Sequence, residues 1–392
     1  MHQPFHIEAE TIQGNRQGAT CCGDVCLSRK LKEENRVVTV LADGMGQGIK
    51  ANILASMTTS MAMQFAMNHE PAWRTAEFII NTLPYNDVRK MANSSFTIMD
   101  INFEGQVKLV EFNNPPALLF RSGNYDHIVR SEKLITTANG NHQVFYSEFK
   151  LEKEDRLVLI SNGVSLSGLG SNHHPLGWNE GLVDYVEMAI DANGSVSATQ
   201  LSKKIIDRAK ANDGGMFKDD ATCCVIYCRE PRKLIVATGP PYHKKHDKLL
   251  ADTLQHFKGK RVVCGGTTAQ ILSREFNEPI EVSLDFTDYQ LPPASKMKGI
   301  DLVTEGILTL GKVSGLLEGS DRLMQQNSNP AEQLFKLMMG CDEIHFMVGT
   351  RINEAHHDPN LPVELEIRRN VLKKITHLLE EKYLKDVEIQ YL

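Results

Sequence analysis

The stretch from Arg36 to Gly48 restricts this chain more than any other. Arg36-Val37-Val38-Thr39-Val40-Leu41 is an apolar strand, and it runs into Ala42-Asp43-Gly44-Met45-Gly46-Gln47-Gly48 and then a long helical pattern. A carboxylate at a strand end, followed by three glycines, suits a cation better than a packed core. The glycines lack side chains, so the backbone can approach a ligand closely. The carboxylate is a hard oxygen donor of the kind Mg²⁺ and Mn²⁺ take. Similar acidic punctuation recurs at Gly23-Asp24 and Asp219-Asp220.

The chain has 392 residues, too many for one ordinary core, so two domains are expected. The seam falls at Arg229-Glu230-Pro231-Arg232, with a further breaker at Gly239-Pro240-Pro241. This predicts one domain over 1–230 and a smaller one over 231–392. The net charge of −6, from 43 basic and 49 acidic residues, argues against a nucleic-acid or membrane-surface protein. Met1-His2-Gln3-Pro4-Phe5 does not read as a signal peptide, and no apolar run is long enough to cross a bilayer. A cytoplasmic setting is therefore expected, with the eight cysteines as thiols rather than a disulfide framework.

In the first block, strands are expected near 21–28 and 36–42, then a helix from Gly46 to Asn68 with Ile53, Leu54, Met57, Met61 and Phe65 at helical spacing. That stripe reads as core packing, with an adaptable methionine-rich partner surface as the other assignment. A second helix is expected over 72–82. Ser95–Ile101 and Val107–Phe112 alternate with period two around Glu104-Gly105, the pattern of an antiparallel hairpin. Strands follow at 117–121, 144–150 and 156–161, then a helix capped by Ser197, then the strand Thr222–Tyr227. Many antiparallel strands with a few long helices predict an α+β sandwich. The second block alternates helix (245–257, 269–276, 362–383) and strand (261–264, 301–304, 343–349, 386–391), the rhythm of an α/β layer.

Asp24, Asp43, Asp219 and Asp220 each stand between a strand and a turn, where any one of them alone reads as a cap or turn former. Together they form a set able to grip hard cations. Phosphate-ester hydrolysis needs such a set, because two divalent metals about 3.5–4 Å apart neutralise phosphoryl charge and activate a water. The ordered series Gly23-Asp24, Asp43-Gly44-Met45-Gly46, Ser161-Asn162-Gly163-Val164 and Asp219-Asp220-Ala221-Thr222 resembles the SpoIIE-type metal-dependent (PPM) serine/threonine phosphatases. Asn113-Asn114-Pro115-Pro116 after the hairpin is similar to that family's middle strands. The resemblance spans roughly residues 12–228.

That resemblance implies two antiparallel sheets with helices outside and two Mn²⁺ or Mg²⁺ ions at one end. It implies that Asp43 bridges the metals, Gly44 ligates through its carbonyl, Asp219 holds one metal, and Asp24 contributes directly or through water. Asp220 would stand behind these ligands. No protein nucleophile is implied, since metal-activated water attacks phosphorus. The implied substrate is a phosphoserine or phosphothreonine protein, often a small regulator in a partner-switching pathway. One departure stands out: Asn162 occupies a position where the family usually has aspartate. An amide oxygen can bind a metal but brings no charge, which predicts weaker binding at one site. The alternatives are a non-catalytic pseudophosphatase that binds phosphoproteins, and a ligand-gated sensor.

Cys21-Cys22-Gly23-Asp24-Val25-Cys26 and Cys223-Cys224-Val225-Ile226-Tyr227-Cys228 share the spacing Cys-Cys-x-x-x-Cys. If their strands were neighbours in one sheet, Cys22, Cys26, Cys224 and Cys228 could form a redox or soft-metal cluster; small apolar fillers are the simpler assignment. In the second block, Gly265-Gly266-Thr267-Thr268 between strand and helix could hold an anion or form a plain tight turn. Asp301-Leu302-Val303-Thr304-Glu305-Gly306 repeats the theme. His356-His357-Asp358 reads as a surface loop, and Arg368, Arg369, Lys373 and Lys374 as a solvated helix face. Binding a small-molecule effector or docking the substrate protein are the roles expected of this block.

Overall fold

The computed structural model describes residues 5–83, 85–86, 91–92, 94–137, 140–282, 291–319, 329–351 and 361–392. His356-His357-Asp358 lies outside the described residues. The chain divides into two compact units, Met1–Glu230 and Pro231–Leu392.

The first unit stacks two antiparallel sheets. One runs in the order His6–Gly14, Ala221–Arg229, Arg156–Ile160, Leu118–Arg121, Asn124–Asp126. The other runs Ser131–Thr137, Gly140–Lys150, Gln106–Phe112, Ser94–Asn102, Arg36–Gly44, Asp24–Leu31. Side chains alternate between faces along each strand, so each sheet supplies two cores. Val37, Leu41, Met99 and Leu109 meet Leu157, Leu159, Cys224 and Ile226 between the sheets. On the opposite face Val38, Val40 and Ala42 pack under Ala55, Ala62 and Met63 of the helix Gly48–Met67 and under Ile79 of Ala72–Thr82. The helices Asn179–Ala192 and Ala198–Asn212 cover the other sheet through Leu182, Val186, Leu201 and Ile205. The Arg36–Gly44 strand reads as one apolar run because helices cover one of its faces and the second sheet the other. This is the α+β sandwich anticipated from the sequence.

Several boundaries differ from expectation, each for a local reason. The first long helix starts at Gly48 rather than Gly46, because Gly46 holds a φ of +119° and Gln47 is extended, both outside helical backbone. The strand expected from residue 21 starts at Asp24. The strand His6–Gly14 was not anticipated, although Phe5 and Ile7 are buried in the inter-sheet core. The helix after Ser197 carries a full capping box: Ser197 accepts from the Gln200 backbone N–H, and the Gln200 side chain accepts from Ser197 N–H.

The second unit is built on a sheet whose five longest strands are parallel, in the order Ile300–Thr304, Lys260–Cys264, Lys233–Thr238, Glu343–Val348, Asp386–Tyr391. Two short antiparallel strands, Ser295–Met297 and Glu281–Val282, extend one edge. The connections run outward in both directions from Lys233–Thr238, the doubly wound pattern of an α/β layer. The helix Pro330–Met339 was not anticipated, though Asn329 caps it through its side chain and Pro330 occupies its first turn.

Candidate metal centre

The alternation that builds the inter-sheet core also places the acids. Asp43 lies two residues beyond Leu41, and the inward face of Arg36–Gly44 therefore ends in a carboxylate. Asp24 is the cross-strand partner of Asp43, on the same face. On the opposite sheet, Asp219 and Asp220 directly precede Ala221–Arg229. Thr222 Oγ1 donates to Asp24 Oδ2 at 2.8 Å and joins the two sheets. Gln13 Nε2 donates to Thr222 Oγ1 and to the Asp24 carbonyl, both at 3.1 Å.

These residues surround an open cavity of about 590 Å³, lined by Arg16, Asp43, Gly44, Ser94, Asn162, Asp219, Asp220 and the loop from Met45 to Gln47. Asp43, Gly44, Asn162, Asp219 and Asp220 are thus brought together from three separate parts of the sequence. Asp24 is 2 % exposed and is not part of this wall. Its carboxylate supports the wall from behind, against Thr222 and Ser161. Asp220, anticipated behind the ligands, reaches the wall. Asp220 Oδ1 accepts from the Arg16 backbone N–H at 2.9 Å, and Asp219 Oδ1 accepts from the Asp220 N–H at 3.0 Å.

Two glycines make the approach possible. A Cβ on Gly44 would sit 2.0 Å from the Ala51 carbonyl oxygen, and one on Gly163 would sit 2.1 Å from the Asp220 carbonyl oxygen. The first contact is with the backbone of the helix after the Asp43 strand, the second with the backbone of Asp220 itself.

The electrostatics follow from burying like charges together. Burial, then the charges of Asp219 and Asp220, push Asp43 up to about 7. Burial raises Asp24 well above the usual carboxylate range, the Asp43 charge adds to this, and hydrogen bonds from Ser161 and Thr222 oppose it. Burial also raises Asp219, while the Asp220 N–H and the charge of Arg16 pull it down. Carboxylates in this position lack positive charge.

Among the described residues no three His, Cys, Asp or Glu side chains close around a single point as a finished metal cage. A hydrated hard cation needs no such cage. Mg²⁺ keeps several waters and binds through one or two carboxylates, and Asp43, Asp219 and Asp220 bring carboxylate oxygens to this cavity. The donor set fits Mg²⁺ or Mn²⁺.

Sequence reading missed Arg16 and Ser94. Arg16 is the one basic side chain in the cavity wall among the described residues. Its signal was its place just after Gly14, where an alternating strand ends. Ser94 Oγ donates to the Asp43 carbonyl at 3.2 Å.

The cysteine cluster is corrected. Asp24–Leu31 and Ala221–Arg229 belong to different sheets, and Cys22 precedes its strand. Cys26 and Cys224 do meet across the sandwich, where their mutual hydrogen bond and burial raise Cys224 well above a free thiol. Cys228 lies four residues further along the strand, about 13 Å away at strand rise, so the four do not converge. All eight cysteines are free, and burial beside Asp24 pushes Cys22 up to about 12.

In the second unit, Gly265 adopts φ +130° and the helix Gly266–Phe276 starts without a side-chain cap. Thr267 is half-buried and Thr268 buried. Glu305 occupies the adjoining turn and accepts from the Leu308 N–H at 2.9 Å.

A sandwich of two antiparallel sheets between helices, with carboxylates gathered at one open end, is the architecture of metal-dependent PPM phosphatases. The sequence profile of stage II sporulation protein E (SpoIIE) matches residues 33–229, half of the chain, and the protein belongs to the SpoIIE phosphatase family. Among solved structures, the phosphatase domain of SpoIIE from Bacillus subtilis is 14 % identical, with a TM-score of 0.45 over 59 % of this chain and 95 % of that one. The RsbU and RsbW domains of a Mycobacterium tuberculosis protein are 13 % identical, with a TM-score of 0.47 over 63 % and 67 %. RsbX in complex with magnesium is 16 % identical, with a TM-score of 0.40 over 57 % and 96 %. Among curated proteins none matches the sequence significantly. Among the described residues no helix is long and apolar enough to cross a membrane.

Proposed function

We propose that this protein hydrolyses phosphoserine or phosphothreonine on a regulatory protein, using two Mn²⁺ or Mg²⁺ ions. The observation that carries this reading is the convergence of Asp43, Asp219 and Asp220 from opposite sheets on one open cavity that also holds Arg16. Divalent cations bound there would neutralise charge and activate a water against the phosphoester.

The chain's own residues have separable parts in that chemistry. Asp43 and Asp219 are the anionic donors, with the Gly44 carbonyl and the Asn162 amide as neutral ones. Asp24 is a positioning residue, held by Thr222 and Ser161 behind Asp43. Asp220 holds the backbone of Arg16, a residue of the cavity wall whose charge acts on Asp219. Arg16 there can fork onto two phosphoryl oxygens, the geometry a guanidinium favours. The open mouth suits a side chain presented on a protein surface. Regulatory proteins of partner-switching type are the substrates this reading favours, with a small-molecule effector acting on the second unit.

Asn162 in the cavity wall supports a second reading, a pseudophosphatase that binds phosphoproteins without turnover. Phosphate release from p-nitrophenyl phosphate and from phosphoserine and phosphothreonine peptides, measured with Mn²⁺, decides between them. Metal-stimulated release supports the enzyme. Manganese uptake by calorimetry without release supports the binding module. No uptake overturns both.

A further inference from the structure

The contact between Cys26 and Cys224 has no part in the chemistry proposed above, and strand direction explains it. Asp24–Leu31 and Ala221–Arg229 both run away from the edge that carries the acids. At that edge Thr222 Oγ1 donates to Asp24 Oδ2 at 2.8 Å. One pleat further along each strand, on the same face, stand Cys26 and Cys224. Cys26 lies opposite Leu41 in its own sheet, and Leu41 and Cys224 both belong to the core between the sheets. The two thiols interact directly there.

The sandwich is pinched at this place. Packed sheets ordinarily lie about 10 Å apart. Here Cα atoms of the two strands come within 8 Å of each other. Gln13 Nε2 draws them together by donating to Thr222 Oγ1 and to the Asp24 carbonyl, both at 3.1 Å. Thr11 Oγ1 donates to Cys26 Sγ at 3.3 Å, and Thr11 is the cross-strand partner of Cys224. The Cys26 sulfur therefore rests against the immediate neighbour of Cys224. A disulfide needs Cα atoms about 4.4–6.8 Å apart, a spacing the close approach of these strands brings within reach.

The two thiols differ in access. Cys26 is half-buried on the outermost strand of its sheet, whereas Cys224 is 0 % exposed. The interaction with Cys26, and then burial, hold Cys224 protonated. A small oxidant arriving from solvent meets Cys26 first, with Cys224 already beside it as the second thiol.

We propose that Cys26 and Cys224 form a reversible dithiol pair, closed by a hydroperoxide into a disulfide that staples the two sheets one pleat below the Asp24–Thr222 contact. In the first step the Cys26 sulfur attacks one peroxide oxygen and the O–O bond breaks. The other oxygen leaves with the thiol proton as water, and Cys26 becomes a sulfenic acid. In the second step Cys224 Sγ attacks the Cys26 sulfur. The S–S bond forms, the S–O bond breaks, and the hydroxyl leaves with the Cys224 proton as a second water. Two thiols lose two electrons and one peroxide gains them.

The test uses the full chain, reduced, freed of metal by a chelator and treated under native conditions with a small excess of hydrogen peroxide. Trypsin then releases residues 17–29 and 219–229 as separate peptides. The expected product joins these two peptides, is lighter than the pair by two hydrogens, and disappears with dithiothreitol. Fragmentation is expected to place the bond between Cys26 and Cys224. Cys26→Ser should lose the product and Cys22→Ser should keep it. Serine suits a half-buried edge position, and tryptophan fluorescence confirms that each variant is folded. A bond between strands so far apart in the chain restricts the unfolded state, so oxidised wild type should melt at least about 5 °C above reduced wild type. Cys26→Ser should melt alike before and after peroxide. Neither readout depends on phosphate release. Absence of the joined peptides, their persistence in Cys26→Ser, their formation only in urea, or a Tm that does not rise on oxidation would each overturn the proposal.

Discussion

Replacing Asp43 by asparagine separates charge from shape at the centre of the site. In the metal-free protein the Asp43 carboxylate is held at about 7, against an ordinary value of 3.8. A displacement of about three units corresponds to about 4 kcal/mol at roughly 1.4 kcal/mol per unit, and relaxation around a buried charge brings this nearer 2 kcal/mol. The sign follows from proton counting. Between about pH 4 and pH 7 the folded state keeps a proton that the unfolded chain has released, so metal-free stability falls as pH rises through that window. Asparagine carries no charge at any pH. Metal-free Asp43→Asn should therefore exceed wild type by about 2–4 kcal/mol near pH 8 and match it near pH 4. Manganese should offset that advantage, adding about 2.7 kcal/mol to wild type at a hundredfold excess over Kd and little to the variant. Urea unfolding followed by tryptophan fluorescence reads this directly, because both tryptophans, Trp73 and Trp178, lie in the first unit. Superimposable pH profiles for the two metal-free proteins, or equal stabilisation by manganese, would refute the account of Asp43 as a buried anion awaiting a cation.

Asn162→Asp adds a carboxylate to the cavity wall and should tighten manganese binding about tenfold by calorimetry; unchanged affinity would remove Asn162 from the donor set. Gly163→Ala should cost about 1–3 kcal/mol in urea and abolish manganese uptake, since its Cβ collides with the Asp220 carbonyl. Arg16→Ala should raise KM for p-nitrophenyl phosphate about tenfold while manganese affinity holds, as expected for a lost charge-assisted contact; a fall in kcat at constant KM would contradict its assigned part. Ser197→Ala removes one half of a capping box and should lower stability by about 1 kcal/mol in the same denaturation assay, with turnover unaffected.

Much of the cavity wall was legible in residue order because its acids sit where patterns change. Asp43 follows an apolar strand and precedes three glycines, and Asp219-Asp220 precedes another apolar strand. Arg16 escaped notice because the strand it follows, His6–Gly14, was itself not anticipated; its relevance comes from Asp220, 204 residues away. Asp24 shows the converse. Its sequence context matches that of Asp43, and the two pair across neighbouring strands, yet Asp24 is buried behind the cavity wall against Thr222. The cysteine echo failed for a related reason, since shared spacing within two strands says nothing about which sheet each strand joins.

The chain's own order determined which segments alternate, which helices cap and where acids interrupt apolar runs, because these depend on neighbours a few bonds apart. Tertiary structure alone decided that the inward faces of two sheets end in carboxylates at the same edge and that Arg16 joins them. Those outcomes depend on strand pairing between residues far apart in the chain, where a shift by a single position would turn every side chain to the opposite face.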